Sequence, residues 1–439
     1  MRRVLVLAYY FPPLGGAGVQ RTVKLLKHLP SLGYEPIVVT GPSGASIDWA
    51  PPDASLENEL PAGLAVHRVA EPRPAMPGRW AARADRWLDR PDRIGSWWSR
   101  SAEQTALDVE DVDLVYATMS PFETAQPAQS VARRRDVPWV ADLRDPWALD
   151  EWTVYPTAIH RRRDVRRMQA ALRSAAAVIA NTPEAERAIA HRFPKMAARL
   201  SVVPNGWDAA DFSDADRPRA GSAVDRAFRI VYVGYSHIDS GNRHRRARLV
   251  RGVSGGATRG LDILSRSHLY LLRAIELLRD REPELAARVE VHLAGPSPVG
   301  AREEAGVRHH GYLEHGESLA LMRSADLLFL PMHDLPPGRR ARTVPGKTYE
   351  YLASGRPILA ALPDGDARDL LQGLAHVRLC RPRDVACLAE GIRSAVTAPR
   401  AVDDVPAIAF AFERRHLAEQ IAATFDRAIA MNGREQDDR

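Results

Sequence analysis

Lys347 and Glu350 stand three residues apart in the stretch from Thr343 to Ala361, directly after Pro345 and Gly346. A helix that starts behind a proline and a glycine presents unpaired backbone N–H groups and a positive dipole end to an anion. Lys347 adds a full positive charge there, and Glu350 adds a carboxylate one turn on, near the same face. Amide donors from Gly346 and Lys347 together with the lysine cation suit a diphosphate. A carboxylate beside them suits the paired hydroxyls of a ribose. The set therefore fits a nucleotide-diphosphate sugar, although the same spacing also fits a solvated surface ion pair.

A second charged group, Asp142, Arg144 and Asp145, ends the run from Pro138 to Trp147. It reads either as a mutually satisfied Arg–Asp cluster or as contacts to a sugar or acceptor. Gly15 and Gly16 follow the first apolar run and let that loop approach a sugar–phosphate closely. His333 and Asp334 close the strand that precedes the Lys347 stretch, and a lone histidine there is more often structural than catalytic.

These residues need a scaffold. Val4–Phe11 reads as a strand, then comes a glycine-rich loop, then a helix with Val19, Val23, Leu26 and Leu29 at helical spacing. Gly33 caps that helix and Ile37–Thr40 is the next strand. This is a unit of a parallel sheet, with its glycine loop at the carboxyl end of a strand, where such sheets bind ligands. The glycines do not spell the dinucleotide fingerprint, and no acidic residue ends strand two, so an NAD site is not expected. Strands at 113–117, 138–143 and 177–181 continue the sheet. The pattern restarts at Phe228–Gly234, with strands at 289–295, 307–311, 326–331 and 357–362. Helices follow at 268–278, 317–325, 384–396 and 409–431. In the last, Phe412, Leu417, Ile421, Phe425 and Ile429 form an apolar set that suits packing back on the first domain.

The chain has 439 residues, 45% of them hydrophobic, which is enough for two cores rather than one. The net charge of +6 is carried mostly by arginine, since lysine occurs only at 24, 27, 195 and 347. That excess is too diffuse for a nucleic-acid binder. The run 42–103 is irregular; between Arg79 and Arg100 it interleaves arginines with Trp80, Trp87, Trp97 and Trp98. The favoured reading packs those tryptophans on the core, with Pro91 and Gly95 breaking any long amphipathic helix; the other is an interfacial segment against anionic lipid. Cys380 and Cys387 match no zinc or redox spacing and imply no disulfide framework. No apolar run approaches membrane length, so a cytoplasmic protein with at most peripheral membrane contact is expected.

The segment Lys347-Thr-Tyr-Glu350-Tyr-Leu-Ala-Ser-Gly355-Arg-Pro357 resembles the donor-site segment of retaining GT-B glycosyltransferases, the large bacterial nucleotide-sugar-dependent family that includes group 1. In that family the glutamate of this pattern binds the donor ribose, and it matches Glu350. Leu200–Asp208 resembles the segment that ends the family's first domain and brings in Asn205. Many members carry a second glutamate where this chain has Arg342, and their usual arginine after the first glycine of the second domain is replaced by Tyr235. No histidine stands near the Asp142 turn, so a His-mediated sugar contact does not carry over. The resemblance covers nearly the whole chain except 42–103 and 236–262.

The resemblance implies an α/β fold of two Rossmann-like, doubly wound domains facing across a cleft, with the C-terminal helix packing back on the first. Domains at 1–208 and 227–408, a linker at 209–226 and a returning helix at 409–431 are expected. The first would hold the acceptor through Gly15, Gly16, Asp142, Arg144, Asp145 and Asn205. The second would hold the donor through Gly234, Gly311, Tyr312, Arg342, Thr343, Gly346, Lys347 and Glu350. An arginine of the 236–262 insertion could supply the missing cation. Transfer with retention and without a metal or other cofactor is implied, Lys347, Glu350, Asp142 and Arg144 carrying the chemistry. The acceptor is a saccharide, a lipid-linked or a small molecule, and the protein a monomer or homodimer. A non-hydrolysing sugar-nucleotide epimerase and a catalytically impaired partner subunit stay open.

Overall fold

The computed structural model describes residues 1–43, 52–70, 74–75, 78–212, 227–251, 254–296, 306–398 and 405–437. The chain divides into two compact units. One comprises Met1–Asn205, Ser254–Gly256 and Arg414–Arg439; the other comprises Gly206–Val253 and Ala257–Glu413. Of the expected linker, residues 213–226 lie outside the described residues.

The first unit is built on seven parallel strands: β1 (Arg2–Ala8), β2 (Tyr34–Thr40), β3 (Ala65–Arg68), β4 (Leu114–Thr118), β5 (Trp139–Leu143), β6 (Ala177–Ala180) and β7 (Leu200–Val202). They lie in the order β3-β2-β1-β4-β5-β6-β7. The central strands are buried on both faces, as a sheet covered by helices on both sides requires. Leu5, Leu7 and Val39 face one core, while Val4, Val6 and Val38 face the other. Its helices are α1 (Ala17–His28), α2 (Arg79–Trp87), α3 (Arg93–Leu107), α4 (Ala125–Arg135), α5 (Ala158–Leu172) and α6 (Pro183–Arg192). Thr182 caps α6 by accepting from the Ala185 amide, with Pro183 in the first turn.

The second unit repeats the plan in six parallel strands. These are β8 (Phe228–Val233), β9 (Val289–Ala294), β10 (Val307–Gly311), β11 (Leu327–Pro331), β12 (Ile358–Ala361) and β13 (Val377–Cys380), in the order β10-β9-β8-β11-β12-β13. Its helices are α7 (Ile238–Arg251), α8 (Leu269–Arg281), α9 (Pro283–Ala286), α10 (His315–Arg323), α11 (Lys347–Ala353), α12 (Asp366–Leu371) and α13 (Val385–Thr397). The last helix, α14 (Arg414–Asp437), belongs to the first unit. Leu417, Ile421 and Phe425 bury themselves on the face formed by Val4, Val38, Leu114 and Tyr116, and the Phe425 ring sits edge-on to Tyr34 and Tyr116, 5.4 Å from each. This is the packing expected of the returning helix.

Four sequence expectations change. Phe412 is not part of that helix: it ends a short turn in the second unit, 4.8 Å from the Tyr349 ring, and Trp207 Nε1 donates to Ala409 O at 2.7 Å beside it. The stretch 42–103 is less irregular than its composition implies. It contains the edge strand β3 and most of the fifteen-residue α3, which tolerates Gly95 because Asp92 caps its first turn by accepting from the Gly95 amide at 2.7 Å. Of the four tryptophans between Arg79 and Arg100, only two are core: Trp97 and Trp98 are buried, whereas Trp80 is 82% and Trp87 49% exposed on α2. Finally, Cys380 and Cys387 are disulfide-bonded. The reversal from the end of β13 into α13 brings the two sulfurs together across only seven positions, a pairing too local for a framework argument to detect.

Candidate functional site

In the second unit, chemistry collects at the carboxyl ends of β8, β9 and β11. α11 begins at Lys347 as expected, with no side chain capping its start. The half-buried Lys347 ammonium lies over the Tyr232 ring, 3.9 Å from its centroid, a cation–π contact that partly offsets its desolvation. Gly234 clears the space: at φ +142° it adopts backbone that other residues resist, and a Cβ there would stand 2.2 Å from Lys347 Nζ. Gly295 abuts the Gly234 carbonyl just as closely, a Cβ on it reaching 2.2 Å. The Val233 amide donates to Tyr351 Oη at 3.2 Å, which fixes α11 against β8.

Burial pushes the Lys347 amine well below the ordinary lysine value, and the Arg266 charge pushes it further, while Glu350 one turn on pulls it back. The same Arg266 acts on Tyr232, whose phenol burial raises to about 12. His237 is driven down to about 2 by burial and by the positive fields of Arg266, Lys347 and His333. A cluster of basic groups this crowded opposes its own protonation and favours an anion among them. Arg266 was not identified in the sequence. It stands between a short turn at Ile263–Ser265 and α8, just beyond the arginine-rich insertion in which a replacement cation was sought.

The other residues expected to hold the donor lie in the same unit. Glu350 is half-buried, as are Arg342 and Thr343. Among the described residues, the buried hydroxyls of Ser236, Thr343 and Thr348 have no partner within the chain. Gly311, at φ +70°, ends β10 and accepts from the Gly295 amide at 2.6 Å, with Tyr312 following it. β10 lies two strands from β8, about 10 Å at ordinary strand spacing, a separation that matches a nucleoside extended from a diphosphate.

The first unit treats its charges differently. Asp142, on β5, is fully buried rather than open at the strand end. Arg21 holds it bidentately at 2.7 and 2.8 Å, and the Tyr116 hydroxyl donates to the same carboxylate. Arg21 also donates to Pro204 O at 2.7 Å and to Val203 O at 2.9 Å, and weakly to Asn205 Oδ1 at 3.5 Å. Asp142 thereby anchors the Val203–Asn205 segment, which corrects its expected place in the chemistry: a carboxylate so enclosed is structural. Arg21 gave no signal in sequence, since its partner Asp142 lies on a strand far along the chain.

Arg144 and the glycine loop do come together. The guanidinium lies against α1's first turn, where a Cβ on Gly18 would stand 1.7 Å from Nη1, and Gly16 leads into that turn at φ +96°. Gly15 is buried beside it, and Asp145 is exposed next to Arg144. Burial lowers the Arg144 pKa, partly countered by Asp145 and Asp142. The buried atoms Thr118 Oγ1, Arg144 Nε and Asn181 Oδ1, at the carboxyl ends of β4, β5 and β6, have no partner among the described residues. A cavity of about 420 Å³ opens at the same edge. Phe122 and Trp147 stack within it at 4.7 Å, and burial raises the Glu123 carboxyl pKa. Phe122 follows β4 and Trp147 follows β5, so no local sequence pattern pairs the two rings.

Residues 15–206 match the glycosyl transferase 4-like domain, and residues 262–398 match glycosyl transferases group 1. The chain thus carries a glycosyl transferase 4-like domain followed by a group 1 domain. It is 28% identical, over 291 residues, to the glycogen synthase of two Mycobacterium tuberculosis strains. That match spans 66% of this chain and 61% of each relative's length. Among solved structures it resembles HepE of Anabaena in complex with UDP and glucose, at TM-score 0.60 and 17% identity over 97% of this chain and 100% of the other. Sucrose-phosphate synthase of Thermosynechococcus elongatus aligns at TM-score 0.65 and 14% identity, over 98% and 100% of the two chains. A putative UDP-N-acetylglucosamine 2-epimerase of Listeria monocytogenes aligns at 0.55 and 13%, over 97% and 95%. Identities this low establish the shared GT-B fold and nothing about ligands.

Proposed function

We propose that this glycosyltransferase moves a sugar from a nucleotide-diphosphate donor, UDP-linked by analogy with the HepE complexes, to an acceptor hydroxyl with retention of configuration and without a metal. The observation that carries the reading is the Lys347, Arg266 and Gly234 cluster, which offers two cations and a cleared backbone to a diphosphate. The bond from the anomeric carbon to the diphosphate oxygen breaks, and its electron pair stays on the diphosphate. The acceptor oxygen bonds to the same face of the anomeric carbon, and its proton passes to the departing phosphate oxygen. Lys347 and Arg266 stabilise the charge developing on that oxygen without a protein nucleophile. Glu350 binds the ribose, and Gly311 and Tyr312 border the base.

On the acceptor side, Arg144, Gly15 and Gly16 stay in the proposed site, with Asp145 and Asn205 at its margin, while Asp142 supports it through Arg21. The stacked Phe122–Trp147 pair and Glu123 suit an acceptor with one apolar face and a hydroxyl, the signature of a sugar ring. An epimerase of this fold needs a competent base by the donor. His237, with a pKa near 2, is too weak a base for that task. Incubation of UDP-glucose with the chelated protein and a panel of saccharides, followed by NMR, tests the reading. A new glycoside of unchanged anomeric configuration is expected. An epimerised donor formed with no acceptor present, or turnover that vanishes with chelation, would overturn it.

A further inference from the structure

The first unit carries a second cationic cavity, at the edge opposite the glycine loop. It has a volume of about 620 Å³ and is walled by Arg166, Arg173, Arg192, Lys195 and Arg199 over a floor that includes Phe193 and Met196. Arg199 locates it: its guanidinium donates to Arg173 O at 3.0 Å and Ala175 O at 2.9 Å, immediately before β6, and Arg199 itself precedes β7. These are the amino ends of the strands, whereas Arg144 and the glycine loop stand at the carboxyl ends.

What distinguishes the cavity is the lack of counter-charge. On the same helix, Arg163 and Arg167 both pair with Asp89, and on α6 Arg187 pairs with Glu184. Among the described residues, none of the five cations lining the cavity makes an ion pair, and no carboxylate lines it. The chain has 55 acidic residues against 61 basic ones, so a group of five cations without one acid is a local departure from near balance. The field of such a group is focused by the low-dielectric floor and favours an anion. Arg192 lies over the Phe193 ring at 5.5 Å, so one guanidinium is held by an apolar partner and keeps its donors free for an oxyanion.

We infer that this cavity binds a phosphate-bearing ligand with an apolar portion: the cations take the phosphate oxygens and Phe193 and Met196 take the apolar part. A free phosphorylated metabolite and an anionic lipid headgroup share that chemistry. The site is independent of the donor cluster, which lies in the other unit.

Two probes separate the sources, each applied to the full-length wild type, to Arg173→Glu/Arg192→Glu, and to Lys347→Ala. Inorganic pyrophosphate is titrated by calorimetry, and sedimentation is measured with phosphatidylglycerol vesicles against phosphatidylcholine vesicles. For a free phosphate ligand, a pyrophosphate site persists in Lys347→Ala and weakens at least tenfold in the charge-reversed protein. For a headgroup, partition onto phosphatidylglycerol falls about twentyfold or more on charge reversal. Either result supports the inference, and both effects shrink as salt is raised. Lys195→Glu, on an exposed side chain, gives the same direction with a smaller drop and guards against a folding defect in the double variant. Wild-type protein that binds neither probe, or charge-reversed proteins that bind as well as wild type, would overturn it.

Discussion

Arg21 in the first unit and Lys347 in the second are both cations at the carboxyl edge of a parallel sheet, and they live in opposite company. Arg21 is enclosed with the Asp142 carboxylate, two backbone carbonyls and, at one remove, the Tyr116 hydroxyl. Lys347 rests on an aromatic face, with the Arg266 charge opposing its own and Glu350 offsetting it. A buried charge with a full set of partners holds structure in place. One whose surroundings depress its protonation gains most when an anion arrives. The contrast separates scaffold from site without reference to sequence position.

The contrast breaks most visibly if its scaffold half is cut. Asp142→Ala strands Arg21 without its carboxylate, and chemical denaturation should show a loss of about 3–5 kcal/mol. A loss below 1 kcal/mol would mean that the pair carries little. Lys347→Ala should act oppositely, lowering turnover about a hundredfold to a thousandfold while leaving the melting temperature unchanged or raised. Glu350→Ala should weaken nucleotide binding by roughly 2 kcal/mol, as for a charged hydrogen bond; equal affinities by titration would remove Glu350 from the site.

Proton linkage sharpens the comparison at the smallest scale. Because Lys347 titrates well below 10.5 in the empty fold, diphosphate binding should take up protons. Affinity should then fall as pH rises through that depressed value. Calorimetry in buffers of different ionisation enthalpy reads the uptake directly. His237 has the opposite consequence for folding. Its pKa drops from 6.5 to about 2 in the native state, so the unfolded chain binds the proton first as pH falls. The stability it contributes is full above pH 6.5 and is lost progressively below it. His237→Gln should flatten the fall of melting temperature over that acid range.

Much of this architecture was legible in the sequence because it is local. The β1–glycine loop–α1 unit, the Lys347 helix with Gly355 at φ +65° behind it, and the apolar stripe Leu417–Ile421–Phe425 each follow from spacing within one short segment. The parts that were missed depend on distant partners. Arg21 meets Asp142 across 121 positions, and Arg266 acts on Lys347 from the far side of three strands in sequence. Asp142 was expected at an open strand end because its type and turn suited chemistry; only the fold shows that Arg21 reaches it first. β3 escaped notice because an edge strand alternates between exposed and half-buried positions, without the apolar run of its neighbours.

Residues 417 to 428 fill one face of a sheet whose first strand begins at residue 2. During synthesis, then, that face stays uncovered at Tyr34 and Tyr116 until the chain has been made through residue 428. Deleting α14 would spoil the first unit before it touched the second.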